Sequence, residues 1–251
     1  MSRPILAVSS WVCKYPDDLL EIVKQTEFRA IEWDLDYIPV PLSSHRRHQL
    51  REGLQRLEIS LRYHLPHSTC DVGSKNSKVR EVSEKYLQLN LELIAGLGAG
   101  YAVLHFAQYE KKEIPPLTSL VSTIETASKY GITIAIENLP FGPTSCPKSL
   151  KRIVSESGVE VALDVGHATK VNALPDFLNL LSSKITHIHF YGSEDNFYNH
   201  KPFLSDTDAL KTADLLRRET QAEWWTFEMG TLSDCVHLLG ILRKENRRRK
   251  C

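Results

Sequence analysis

The chain has 251 residues, 42% of them hydrophobic and 25% charged, with 31 basic against 31 acidic side chains and so no net charge. That length suits one globular domain, and no window holds the ~18 uninterrupted apolar residues of a membrane span. Zero net charge excludes a globally basic nucleic-acid surface, and five scattered cysteines with no Cys-x-x-Cys pair exclude a disulfide framework or a zinc knuckle.

The opening MSRPILAVSSW returns to polar residues too early for a secretory signal, so a cytoplasmic protein with reduced thiols is expected. ILAVSS from Ile5 reads as the first strand, and Pro16-Asp17-Asp18 opens a helix. AIEW from Ala30 and ISLRYH from Ile59 are the next strands. Leu87, Leu91, Ile94 and Ala95 then recur at helical spacing until Gly98 to Gly100. YAVLHF from Tyr101 is the fourth strand, followed by a helix opened at Pro115-Pro116 and ended at Tyr130-Gly131. ITIAIE from Ile132 and VEVALD from Val159 follow, then a helix marked by Leu174, Phe177, Leu178 and Leu181. ITHIHFY from Ile185 leads into a tract from Tyr191 to Asp206 that is long and rich in turn formers, a candidate lid. EWWTFE from Glu223 is the last strand; its adjacent Trp224 and Trp225 must point to opposite faces, one toward the helices. The basic run from Arg243 to Lys250, within a short tail of about 243–251, reads as a solvated helix end.

Eight strands alternating with helices require a parallel sheet, and in one chain of this size they close most economically into a single (β/α)8 TIM barrel spanning residues 1–251. The rival open sheet lacks support, since no strand is followed by Gly-x-Gly-x-x-Gly or a phosphate-binding loop.

In a barrel the chemistry sits where strands end. Of ten histidines, seven (His64, His67, His105, His167, His187, His189 and His200) fall at or just after the ends of strands three, four, six and seven. Glu137 and Glu228 end strands five and eight, and Asp164 closes strand six with His167 three residues on. Carboxylates ending apolar strands and converging on one mouth would repel one another, and a divalent cation removes that conflict. Mixed imidazole and carboxylate ligands suit Mn, Co, Fe or Zn, with Mg where oxygen dominates.

His64-Leu-Pro-His67, YAVLHF with His105, AIEN with Glu137, LDVGHA with Asp164 and His167, IHF with His189 and FEMG with Glu228 together resemble the xylose-isomerase-like barrel superfamily. That superfamily holds sugar and sugar-phosphate isomerases and epimerases, and the apurinic-site endonucleases of the endonuclease IV type. The isomerase pattern implies one metal per chain on Glu137, Asp164, His189 and Glu228, with His167 binding substrate. The endonuclease pattern implies up to three metals and recruits His67, His105, His167 and His200; His64 joins these as a further possible ligand. This chain departs from it at Tyr198 and Gly192, where that pattern carries aspartates. It departs from the epimerases at Asp195, where they can carry arginine.

The resemblance implies metal-dependent isomerisation or epimerisation, with Glu137 and Glu228 as catalytic proton donor and acceptor and the metal stabilising an enediolate. The alternative is a metal-dependent apurinic-site endonuclease. Trp11 and Glu32 are expected to line the substrate pocket, with Trp33, His64 and Phe106 as weaker candidates. The expected partner is a small sugar-like molecule, with nucleic acid only under the alternative and no membrane. A homo-oligomer is allowed, although nothing in the sequence marks an interface.

Overall fold

In a computed structural model of the protein, residues 4–195 and 199–248 are described. The strands are β1 (Ile5–Ser9), β2 (Ala30–Asp34), β3 (Ser60–His64), β4 (Tyr101–Leu104), β5 (Thr133–Glu137), β6 (Glu160–Asp164), β7 (Ile185–His189), the short β8 (Ser193–Glu194) and β9 (His200–Lys201), and β10 (Trp224–Phe227). The helices are α1 (Asp18–Gln25), α2 (Ser44–Arg56), α3 (Ser77–Ala95), α4 (Thr118–Lys129), α5 (Pro147–Ser157), α6 (Val165–Lys170), α7 (Leu174–Leu181), α8 (Asp206–Glu219) and α9 (Leu232–Arg248).

Eight strands close into a parallel barrel in the order β1-β10-β7-β6-β5-β4-β3-β2, while β8 and β9 form a separate antiparallel hairpin. This is the predicted (β/α)8 TIM barrel. Strands covered on both faces read as continuous apolar runs rather than alternating ones, which is why Val161 to Leu163 and Ile134 to Ile136 carry no polar residue. Side chains on the helical side, among them Phe28, Leu91, Ile153, Phe177 and Trp225, form the main core. Each contributes about 1.5–3 kcal/mol by leaving water. Trp225 thus faces the helices, and Trp224 points into the barrel with Ala7 and Ala30. The run from Arg243 continues α9 as far as Arg248; residues 249–251 lie outside the described part.

Register sets the depth of each inward side chain. Asp164 of β6 and Thr226 of β10 both stand level with His189 of β7, whereas Trp224 stands level with His187, one layer down. On the other wall Asp34 pairs with His64 and Glu32 with Arg62. Two polar layers are thereby stacked inside the barrel. Among the described residues no helix is long and apolar enough to cross a membrane.

Candidate metal centre and active site

Glu137, Asp164 and His189 end their strands, Glu228 directly follows β10, and all four are at most 3% exposed. His189 Nδ1 lies 3.2 Å from Glu228 Oε2, 3.4 Å from Glu137 Oε2 and 3.7 Å from Asp164 Oδ2. Asp164 is held by its other oxygen: as N-cap of α6, Oδ1 accepts from the His167 amide at 2.6 Å. Asp164 Oδ2 and His189 Nδ1, both buried, have no hydrogen-bond partner among the described residues. Each orphaned atom costs about 1–3 kcal/mol, and the two face the same point. Three carboxylates and an imidazole around that point fit a divalent cation of the Mn, Fe, Co, Zn or Mg type.

Beneath this centre sits a second polar layer. His189 Nε2 is 3.1 Å from Glu32 Oε1, and His187 Nε2 is 2.7 Å from Glu32 Oε2, which also accepts from the Thr226 hydroxyl. The Arg62 guanidinium reaches His187 Nδ1 at 3.1 Å and lies 3.8 Å over the Tyr101 ring. Burial alone would raise the Glu32 carboxyl, but the facing His187 and His189 imidazoles hold it well below the usual carboxylate range. The expectation that Glu32 lines the substrate pocket is corrected here: it is fully buried, one inward position deeper than Asp34. His187, expected near a strand end, is likewise two residues below it. Trp33 and Phe106 are buried in the helix-side core and do not reach the cavity either.

His64, His67, His105, His167 and His200 line the cavity over the centre. His64 Nε2 and His105 Nε2 lie 3.1 and 3.2 Å from Glu137 Oε2, and His167 Nδ1 lies 3.1 Å from Glu137 Oε1. His64, His67 and His105 each offer a nitrogen to a common small volume, and a carboxylate oxygen of Asp164 with a nitrogen each of His167 and His200 converge on another. Burial would raise Glu137, yet His189 and His105, with hydrogen bonds from His105 and His167, hold it well below its ordinary value. Glu228 moves the other way: burial first, then the charges of Glu32, Glu137 and Asp164, outweigh His189 and push it well above. Burial and neighbouring charge thus push the two glutamates in opposite directions, Glu137 toward the carboxylate and Glu228 toward the protonated form. Burial would lower His64, but the Glu137 hydrogen bond and the Asp34 and Glu137 charges lift it to about 10. Burial, reinforced by His105 and His64, drives His67 down to about 2.

A cavity of about 180 Å³ opens over these groups, lined by Trp11, Tyr37, His64, His67, His105, Gln108, Glu137, Phe141, His167, Glu194, His200 and Glu228 among others. It is smaller than the ~300–1,000 Å³ of drug-sized ligand sites. Trp11 is in its wall, with Nε1 donating to Asp34 at 2.8 Å and its ring 4.5 Å from His200. The tract after Tyr191 is no free excursion: Glu194 of β8 and His200 of β9 are part of the lining.

A family model described as the xylose isomerase-like TIM barrel matches residues 20–246. The chain belongs to that family. Among solved structures, an L-ribulose 3-epimerase superposes with a TM-score of 0.74 at 16% identity, covering 100% of this chain and 97% of that one. A D-tagatose 3-epimerase-like protein gives 0.72 at 21% identity, covering 95% and 96%. The IolI protein with a binding zinc atom gives 0.73 at 19%, covering 95% of each chain. At these identities the likeness is one of fold. Two uncharacterized proteins of Methanocaldococcus jannaschii are 27% and 28% identical over 59% and 60% of this chain. The chain spans 62% and 56% of the length of these curated relatives.

Within this xylose isomerase-like barrel, the departure at Gly192 has a steric cause. A Cβ there would run into the backbone of Pro202 and Phe203, because the hairpin draws Gly192 N to within 2.9 Å of Lys201 O. An aspartate cannot occupy that place. Tyr198 lies outside the described residues, and Asp195 binds Asn199 and Lys201 within the hairpin. The sequence reading missed Asp34 and Asp36, which approach His67 Nε2 at 4.0 and 3.3 Å, and Asn138, whose side chain exchanges two hydrogen bonds with the Asp164 backbone. Position could have found them, since Asp34 ends β2 as Asp164 ends β6.

Proposed function

We propose that this barrel is a metal-dependent isomerase or epimerase of a small sugar, sugar phosphate or related polyol. The observation that carries the reading is the convergence of Glu137, Asp164, His189 and Glu228 on one buried point, with two of their atoms orphaned, under a cavity sized for a small molecule. Glu137, Asp164, His189 and Glu228 would hold the cation; when bound it supplies Lewis acidity toward a carbonyl and an adjacent hydroxyl.

The chain's own part is to position the substrate and move a proton. Glu137 and Glu228 both line the cavity and come from strands separated by β6 and β7, so they address a substrate from different directions. One removes the proton from the carbon beside the carbonyl and the other returns one. His167, turned by its Nδ1 toward Glu137 and the Asn138 carbonyl, leaves Nε2 facing the cavity and Glu194 as a substrate-binding group. Trp11, Tyr37 and Phe141 provide apolar faces against which a sugar ring can lie. The test is exchange of solvent deuterium into a panel of ketoses and their phosphates by the Mn-, Co- or Mg-loaded enzyme; no exchange with any of them would overturn the reading.

A second reading, hydrolysis at abasic DNA, is favoured by the two further ligand groups, His64, His67 and His105, and Asp164, His167 and His200. The small cavity volume of about 180 Å³ and zero net charge count against it. Elemental analysis separates the two: about one metal per chain belongs to the isomerase reading, two or three zinc ions to the hydrolase.

A further inference from the structure

We infer that α3 is the face through which two copies of this chain pair, helix against helix and antiparallel about a two-fold axis. The helix attaches to its own barrel through Ser83, Leu87, Asn90, Leu91 and Ile94. Rotated by one residue from that face runs a second apolar line, Val79, Val82, Tyr86 and Leu89, which is 40%, 65%, 40% and 48% exposed. Leu93, partly buried, continues it. The steps of three, four, three and four residues give a period of 3.5, that of a two-helix seam rather than of a helix lying on a barrel. Apart from Leu93, which also packs against the core, the line stands exposed, and an exposed apolar stripe on a polar surface marks an interaction site.

Charge identifies the occupant. Lys78 stands in the first turn of α3 and Glu92 in the last, each at the end of the helix dipole that disfavours its sign. Both are exposed, and among the described residues neither has an ion-pair partner. A two-fold contact requires one patch to complement itself, and this one can. Setting Val79 against the partner's Leu89, and Val82 against the partner's Tyr86, brings Lys78 beside the partner's Glu92, twice over. Lys85 meets its own copy near the axis, where its charge is already matched within the helix by Glu81 at 2.7 Å. A parallel pairing would instead face Lys78 with the partner's Ser83 and give it no acidic neighbour. The seam lies on the barrel's flank, so pairing leaves the cavity mouth open.

The experiment is sedimentation equilibrium on the full chain between about 1 μM and 1 mM, with thermal melts to show that each variant is folded. The wild type should dimerise, and Val82→Glu should remain monomeric at every concentration with its melting temperature in the monomer unchanged. Lys78→Glu and Glu92→Lys should each weaken the dimer by about tenfold, and the double reversal should restore it. A wild type that is monomeric throughout, a dimer indifferent to Val82→Glu, or charge reversals that the double variant does not rescue would each overturn the proposal.

Discussion

Glu32 Oε1 lies 3.1 Å from His189 Nε2, and the opposite ring nitrogen of His189 faces the three carboxylates. A carboxylate accepting from one imidazole nitrogen fixes the tautomer and presents the other nitrogen's lone pair outward. Glu32 cannot swing away, since His187 and Thr226 hold its other oxygen. Glu32→Gln is therefore expected to leave the protein folded but weaken divalent-metal binding about 10- to 100-fold. Competition against a fluorescent chelator measures this directly; unchanged affinity would remove Glu32 from the metal's support.

Glu137→Gln and Glu228→Gln each preserve shape while removing a proton acceptor or donor. Each should lower turnover by at least about 100-fold and abolish deuterium exchange into substrate, with the protein still folded. Full activity in either variant would exclude that glutamate from proton transfer.

Chelation should destabilise the protein. A cation held only by the folded state contributes about 2.7 kcal/mol at a hundred times its Kd, and it also satisfies Asp164 Oδ2 and His189 Nδ1. Calorimetry with and without chelator is expected to give a clear fall in Tm, restored by adding back metal.

In the chelated protein, acid should unfold the barrel early. Burial, with nearby positive histidines, holds His67 down to about 2 and His200 to about 4, below the 6.5 of a free imidazole. At these two positions the unfolded chain takes up protons that the fold refuses, so their contribution to stability is full above pH 6.5 and falls as pH drops toward 4. The loss should be about 1–2 kcal/mol per imidazole by pH 5. Removing the effect with a His67→Gln, His200→Gln double variant would assign it, and an unchanged pH profile would refute the assignment.

Gly166 packs its bare α-carbon against the Tyr191 ring, which in turn lies parallel to His200 at 3.9 Å. Gly166→Ala must displace that ring, at a cost of about 1–3 kcal/mol, and should move His200 with it. Lowered stability together with raised KM is the expected pair of results.

The barrel was legible because its eight apolar runs and their punctuation are regular, and the site because Glu137, Asp164, His189 and Glu228 interrupt apolar strands at their ends. What stayed hidden was depth. Strands apolar on both faces show no alternation, so AIEWD does not say that Glu32 points inward or lies one layer below Asp34; only the register against His64 and Arg62 fixes this. Nor could local sequence pair Glu32 with His187 and His189, which are more than 150 residues away.

Trp11 differs from the other tryptophans in where it sits. Trp33, Trp224 and Trp225 are sealed in the interior, at 0%, 3% and 1% exposure, whereas Trp11 alone among the four lines the cavity, with its ring against the His200 imidazole. The molecule therefore carries a built-in fluorophore at the mouth of its site. The three interior tryptophans give a background, and the fourth changes in quenching whenever His200 is liganded or shielded by a bound molecule, so occupancy can be followed without a label.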